Sequence, residues 1–300
     1  TGQGQIEVEP DKISYDMRKL KLTMFQTKQP EKGKVYVWWM RSPGDKSENF
    51  GTLPYEDTPY VEDFSVEVPD SGDGSPPYIA NFSGAYVTYE DELGAEKLSG
   101  PVGPIVWKGE IPLGAWTHVQ HVLTRRDGAG DLPGYIQQAA EIMQNVIAQL
   151  KDLRNAVKSG KPKLATTAAE NIHTLLVGEA GAEDINGDKD FAKGLSKFTM
   201  GLAAGDTPLN GAVKHAGIAK SAADGAGAPT LGLTQGYAAL EDAAKGFNKG
   251  MTPALEALKA FGAGTSKDIK GVDTTMNQLT SRFGAAMLGA RKLGQIDLKR

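Results

Sequence analysis

The chain has 300 residues, of which 40% are hydrophobic and 23% charged, with a net charge of −4 and no cysteine. This length and balance predict about two globular domains, and the lack of cysteine excludes disulfides and thiolate metal sites. No apolar run is long enough to predict a membrane span. The chain begins with Thr1, which is consistent with removal of an export signal.

Charge is distributed unevenly along the chain. Residues 1–117 carry 11 Lys and Arg against 19 Asp and Glu, whereas the remainder carries 22 against 18. Opposite net charges favour contact between the halves or between copies of the chain, although two unrelated surfaces would give the same counts. Neither half is basic enough to predict nucleic-acid binding.

The first half has the pattern of short β-strands. Residues 5–9, 19–25, 34–40, 61–68 and 85–89 alternate polar with β-branched or aromatic residues. Turn-forming Gly, Pro and Asp lie between them, at 29–33, 42–45 and 70–74. This spacing predicts an antiparallel, Ig-like β-sandwich over residues 1–117.

Trp38 and Trp39 are adjacent within one predicted strand, so their side chains must point to opposite faces. One of them can fill the core of the sandwich, and the other is then a candidate contact for a protein partner or for the helical half. In the alternative interpretation, loops of the same domain cover both rings.

Helical periodicity takes over after a predicted hinge at 118–133. Helices are expected at 134–158, 162–177, 189–203, 209–224, 231–262 and 265–292, forming a helical bundle domain over 134–300. Glycines at 160, 178, 205 and 225 stand where helices commonly end. The fold class expected for the whole chain is therefore α+β with segregated domains.

Four segments of the first half form a recognisable series: VYVWW at 35–39, FGTL at 50–53, YVTYE at 86–90 and SGPVGPIVWKG at 99–109. In this order they resemble the extracytoplasmic domain of anti-sigma-K-type factors. The likeness covers about residues 5–112, with Asp91 where that family often has proline. It implies the sandwich fold and an exported, periplasmic or cell-surface location. It does not imply sigma-factor regulation, because the sigma-binding segment and the membrane helix are missing.

The second half contains the stretches AENIHTLLVGE at 169–179 and DINGD at 184–188. These stretches resemble helical regions that follow such domains in exported bacterial proteins of unknown function. This resemblance implies no particular activity.

A cluster of oxygen-bearing side chains at 184–190 predicts a calcium loop. Asp184, Asn186, Asp188 and Asp190 alternate along the chain, as ligands do when a loop curls round a hard cation. An EF-hand has glycine at the sixth position and glutamate at the twelfth, but this chain has Lys189 and Leu195 there. A bidentate anchor would have to come from elsewhere, with Glu179 and Glu183 as candidates. The alternative is a connector that caps the next helix.

The four histidines are possible metal or haem ligands. His118 and His121 could share an ion if their segment is helical, but not if it is extended. Otherwise they pack at the domain junction. His173 and His215 lie on predicted helices, where they could ligate a haem or be ordinary core residues.

No nucleotide-binding, serine-hydrolase or zinc-protease motif is present, so catalysis is not expected. We expect an exported structural or assembly protein that acts through protein–protein contacts, either in self-assembly or in a larger complex. The alternative is a metal- or haem-binding accessory subunit that takes part in electron transfer. Calcium is the cofactor that the sequence favours.

Overall fold

The computed structural model describes residues 3–8, 19–25, 28–44, 46–53, 62–67, 82–126, 132–189, 194–203, 207–228 and 230–299. These ranges contain antiparallel sheets and six α-helices, which confirms the mixed α+β class. The strands are β1 (Gln3–Val8), β2 (Lys19–Phe25), β3 (Lys34–Arg41), β4 (Ser47–Leu53), β5 (Glu62–Glu67), β6 (Gly84–Asp91), β7 (Ile105–Glu110), β8 (Arg125–Arg126), β9 (Leu132–Pro133) and β10 (Ile296–Leu298). The helices are α1 (Leu113–Leu123), α2 (Tyr135–Lys158), α3 (Pro162–Val177), α4 (Pro208–Gly225), α5 (Leu231–Gly262) and α6 (Ile269–Leu293).

Eight of the described strands form two four-stranded antiparallel sheets. The strand order is β10-β1-β2-β5 in the first sheet and β4-β3-β6-β7 in the second. The backbones of Lys108 and Lys299 exchange two hydrogen bonds of 2.9 Å. At Gly109 a Cβ would lie only 2.3 Å from the Asp297 carbonyl oxygen, so only glycine allows this approach. β10 is thereby joined to both sheets, since it pairs with β1 and also lies against β7.

The core of the second sheet includes both adjacent tryptophans of β3. Trp39 packs with Tyr86 and Ala95 in a buried cluster, while Trp38 lies against the ring of Phe50, with centroids 5.4 Å apart. Trp38 is 1% exposed and Trp39 is 0% exposed. The prediction that one of them is an exposed contact for a partner is therefore wrong. Phe50 of β4 lies against Trp38, and Tyr86 of β6 together with Ala95 of the β6–β7 connection packs against Trp39.

Five of the six predicted helices are present at nearly the predicted bounds. In α2 the side chains that recur at helical spacing are buried, including those at 136, 142, 143, 146, 150 and 153. Pro162 begins α3, a position where its missing N–H costs nothing. None of the described helices is long and apolar enough to cross a membrane.

The helix predicted at 189–203 is not formed in the described part of that stretch, residue 189 and residues 194–203. There the backbone pairs with the end of α3: the Leu176 carbonyl accepts hydrogen bonds from the N–H groups of Leu202 and Ala203, both at 2.7 Å. Gly201 packs so closely on this region that a Cβ would lie 2.2 Å from the backbone nitrogen of Gly178. Tertiary backbone contacts therefore replace helical hydrogen bonds.

The predicted hinge at 118–133 is also largely structured. Residues 118–123 belong to α1, and β8 pairs with β9 across residues 127–131, which lie outside the described residues. Helix α1 buries Ala115, Trp116, Val119 and Val122 on one stripe. That stripe gives residues 118–123 a packing reason to be helical.

Residue contacts divide the chain into two compact units. The strand unit comprises Thr1–Pro133, His215–Ala238 and Gly289–Arg300, and the helical unit comprises Gly134–Lys214 and Ala239–Leu288. Both units are built from separate stretches of the chain, whereas the domains predicted from the sequence, 1–117 and 134–300, are each one continuous stretch. The difference arises because β10 pairs with β1 and because parts of three helices group with the strands.

Candidate metal centre

Helix α1 presents two histidines on the flank of its buried stripe. His118 and His121 are three positions apart, so one helical turn brings them to the same side. Both are half-buried. Because this segment is helical, His118 and His121 can share one ion.

The third histidine comes from α4, whose part from His215 onward belongs to the strand unit together with α1. A Cβ added to Gly114 would lie 4.0 Å from the Cβ of Ala222, so the two helices are in close contact at that end. His215 lies seven residues before Ala222, and His118 and His121 lie four and seven residues after Gly114. These spacings are whole helical turns, so the contact at one end aligns the histidines at the other.

Three imidazole nitrogens meet where these side chains converge. The Nδ1 atom of His215 is 3.1 Å from Nδ1 of His118 and also 3.1 Å from Nδ1 of His121. One nitrogen of each of the three rings lies within 4.8 Å of one nitrogen of each of the others. A single Nδ1 carries at most one proton or one lone pair, so His215 cannot make two good hydrogen bonds through this atom. A cation at the centre would use all three lone pairs at once.

The spacing fits a transition-metal ion. Nitrogens bound to zinc at about 2.0–2.1 Å in a tetrahedron are about 3.3–3.4 Å apart, close to the 3.1 Å observed here. Burial, with a smaller contribution from the nearby His121 ring, lowers the pKa of His118. A lowered pKa favours the neutral imidazole that a metal requires.

His173 does not join this cluster. It lies on α3 in the helical unit, whereas His215 belongs to the strand unit. The side chain is 1% exposed, and neither ring nitrogen has a hydrogen-bond partner among the described residues. Burial and the charge of Lys259 lower its pKa, against an opposing effect of Glu183. His173 therefore fits the alternative of a neutral core histidine better than an axial haem ligand.

The predicted calcium loop lies in the helical unit. Asp184, Asn186 and Asp188 are present on it, and Asp190 lies outside the described residues. The carboxylates of Asp184 and Asp188 group with that of Glu170 on α3, with one oxygen of each within 4.8 Å of the others.

The two expected anchors of this loop are engaged elsewhere. Glu179 accepts a hydrogen bond from the N–H of Gly194 at 3.0 Å, and Glu183 pairs with Lys259 at 2.7 Å. The acid that meets the loop is Glu170. Glu170 was not predicted as a ligand, although it lies within the stretch at 169–179 that carries the resemblance.

A comparison with protein-family models, with curated proteins and with solved structures finds no match for the chain, so its function has to be inferred from its own residues.

Proposed function

We propose that the chain binds a divalent transition-metal ion through His118, His121 and His215. The observation that carries this proposal is the convergence of three Nδ1 atoms, with His215 at 3.1 Å from each of the other two. Imidazole nitrogens bind zinc and copper(II) in preference to calcium or magnesium, which prefer oxygen ligands. The three histidines therefore select for a transition metal.

The three side chains are only half-buried. Three protein ligands on a tetrahedral ion leave one position for water or for a ligand from solution. This open position favours a functional ion over a purely structural one, since structural zinc sites have four protein ligands. Copper(II) is the strongest competitor for such a site in the Irving–Williams order.

The strand order supports an Ig-like sandwich as the scaffold. The chain passes from the first sheet to the second between β2 and β3, returns at β5, and passes again before β6. This alternation, with hairpins joining β3 to β4 and β6 to β7, matches the Greek-key connections of Ig-like domains. The scaffold and the resemblance at 5–112 support an exported accessory protein that carries the ion.

Cobalt(II) titration tests the proposal, because tetrahedral cobalt(II) absorbs strongly in the visible range whereas hydrated cobalt does not. We expect one equivalent to bind to the unaltered chain, with the colour displaced by zinc. The variant with His118, His121 and His215 all changed to alanine should stay colourless. The matched control is His173→Leu, which removes the remaining histidine and should bind normally. Equal binding by the triple variant, or no binding by the unaltered chain, would contradict the proposal.

A further inference from the structure

Glu170 is a buried acid that meets a loop rather than a basic side chain. It is 1% exposed, and its Oε2 accepts hydrogen bonds from the N–H groups of Ile185 at 2.8 Å and Asn186 at 3.1 Å. Its other oxygen, Oε1, is buried and has no donor among the described residues. A buried carboxylate oxygen without a donor is costly unless a cation compensates it.

The loop itself is curled by its own side chains. Asp184 accepts hydrogen bonds from the N–H groups of Gly187 at 2.9 Å and Lys189 at 3.0 Å, and Asn186 accepts one from Asp188 at 3.0 Å. Lys189 has a φ of 64° and Gly187 one of 75°. Lys189 thus adopts the left-handed conformation at the position where an EF-hand loop has glycine.

The carboxylates of Glu170, Asp184 and Asp188 suit one shared ion. One oxygen of each lies within 4.8 Å of the others. Oxygens bound to one calcium ion at about 2.3–2.6 Å are at most about 5 Å apart. All three ligands are oxygens. Calcium tolerates irregular coordination, whereas magnesium demands a near-ideal octahedron, so these ligands fit calcium better.

We propose that Glu170, Asp184 and Asp188 hold a calcium ion that fastens the loop to α3. This site is separate from the histidine centre and goes beyond the proposed function. The anchoring acid, Glu170, lies 14 residues before the first loop residue, Asp184. In an EF-hand, by contrast, the anchoring glutamate comes at the end of the loop. Ile185 lies next to these ligands and packs closely against Gly262 of α5. A Cβ on Gly262 would lie only 2.7 Å from Cγ2 of Ile185. Calcium therefore stabilises the packing of α3, the loop and α5 inside the helical unit.

Calorimetric titration of the full chain with calcium chloride, after treatment with a chelator, tests this site. We expect one calcium ion to bind with a Kd between about 10⁻⁵ and 10⁻³ M, the range from the weakest sensor sites to extracellular sites, and magnesium to bind more weakly. Glu170→Gln should weaken calcium binding by about tenfold or more, because affinity follows the number of charged ligands.

Two further variants make the result decisive. Asp188→Asn changes an exposed ligand, so it should weaken binding similarly in a folded chain even if Glu170→Gln does not fold. Glu183→Gln is the matched control, because it removes the same charge one residue before the loop, and it should bind calcium normally. The proposal is overturned if the unaltered chain gives no calcium heat, if Asp188→Asn binds as tightly as the unaltered chain, or if Glu183→Gln loses as much affinity as Asp188→Asn.

Discussion

Replacing His215 by alanine should remove most of the stabilisation that zinc confers on the chain. His215 is the residue whose Nδ1 contacts both other ligands at 3.1 Å, so its loss leaves only the pair on α1. Zinc sites with four ligands release about 10–16 kcal/mol on binding, or about 3 kcal/mol per ligand. The expected loss of affinity is therefore about 100-fold.

The effect is measurable as a metal-induced shift in the thermal midpoint. At a free zinc concentration of 100 times the Kd of the unaltered chain, binding stabilises the fold by about 2.7 kcal/mol. A variant with a 100-fold weaker site would gain only about 0.4 kcal/mol at the same zinc concentration. For a chain of this size, the shift should fall from about 5–10 °C to about 1–2 °C.

Differential scanning calorimetry with and without zinc makes the comparison, because each variant serves as its own metal-free reference. His173→Leu is the control and should keep the full shift, whatever its effect on the metal-free midpoint. A full zinc shift in His215→Ala, or loss of the shift in His173→Leu, would refute the assignment of the ligands.

Three other outcomes are expected. Gly109→Ala should destabilise the strand unit by about 2–5 kcal/mol in chemical denaturation, since its Cβ would lie 2.3 Å from the Asp297 carbonyl oxygen. Gly100→Ala is the control, because a Cβ there would have no neighbour within 4 Å; it should have little effect, and an equal loss of stability in both variants would contradict this packing. Burial lowers the pKa of His173, so the unfolded chain takes up a proton more readily than the folded chain, and the free energy of unfolding should be full above pH about 6.5 and fall below it. His173→Leu should reduce this loss of unfolding free energy at acid pH, and an unchanged pH dependence would contradict a role for His173. Metal binding should weaken as pH falls from 7.5 to 5.5, because protons compete for the imidazole nitrogens that a metal needs. The lowered pKa of His118 reduces its share of this loss. A metal-binding assay that shows no pH dependence would exclude an imidazole site.

The helices were predictable because their signals are local. The stripe of α2 and the proline that begins α3 act over one or two turns, and the structure has these elements at nearly the expected residues. The stretch at 194–203 has similar local composition, but its N–H groups at 202 and 203 find a partner in the Leu176 carbonyl. That partner is distant in sequence, so periodicity alone could not identify it.

The histidine cluster was predictable only in part. The spacing of His118 and His121 raises the possibility of a shared ion, but the choice between helix and hinge decides it. His215 follows His121 by 94 residues, and only the packing of α4 on α1 joins them. Glu170 was missed for a similar reason: its role depends on backbone donors at 185 and 186, and nothing in its local sequence distinguishes it from solvated acids.

The pairing of β10 with β1 constrains the order in which the strand unit can fold during synthesis. Residues 4–6 pair with residues 296–298, so β1 lacks its outer neighbour until the residues up to 298 have been synthesised. The 134–214 segment of the helical unit emerges while the strand unit is still incomplete. Until β10 arrives, β1 is an open edge on which another strand could add. A premature stop within α6 would leave this edge exposed permanently, and such truncated chains should aggregate or be degraded.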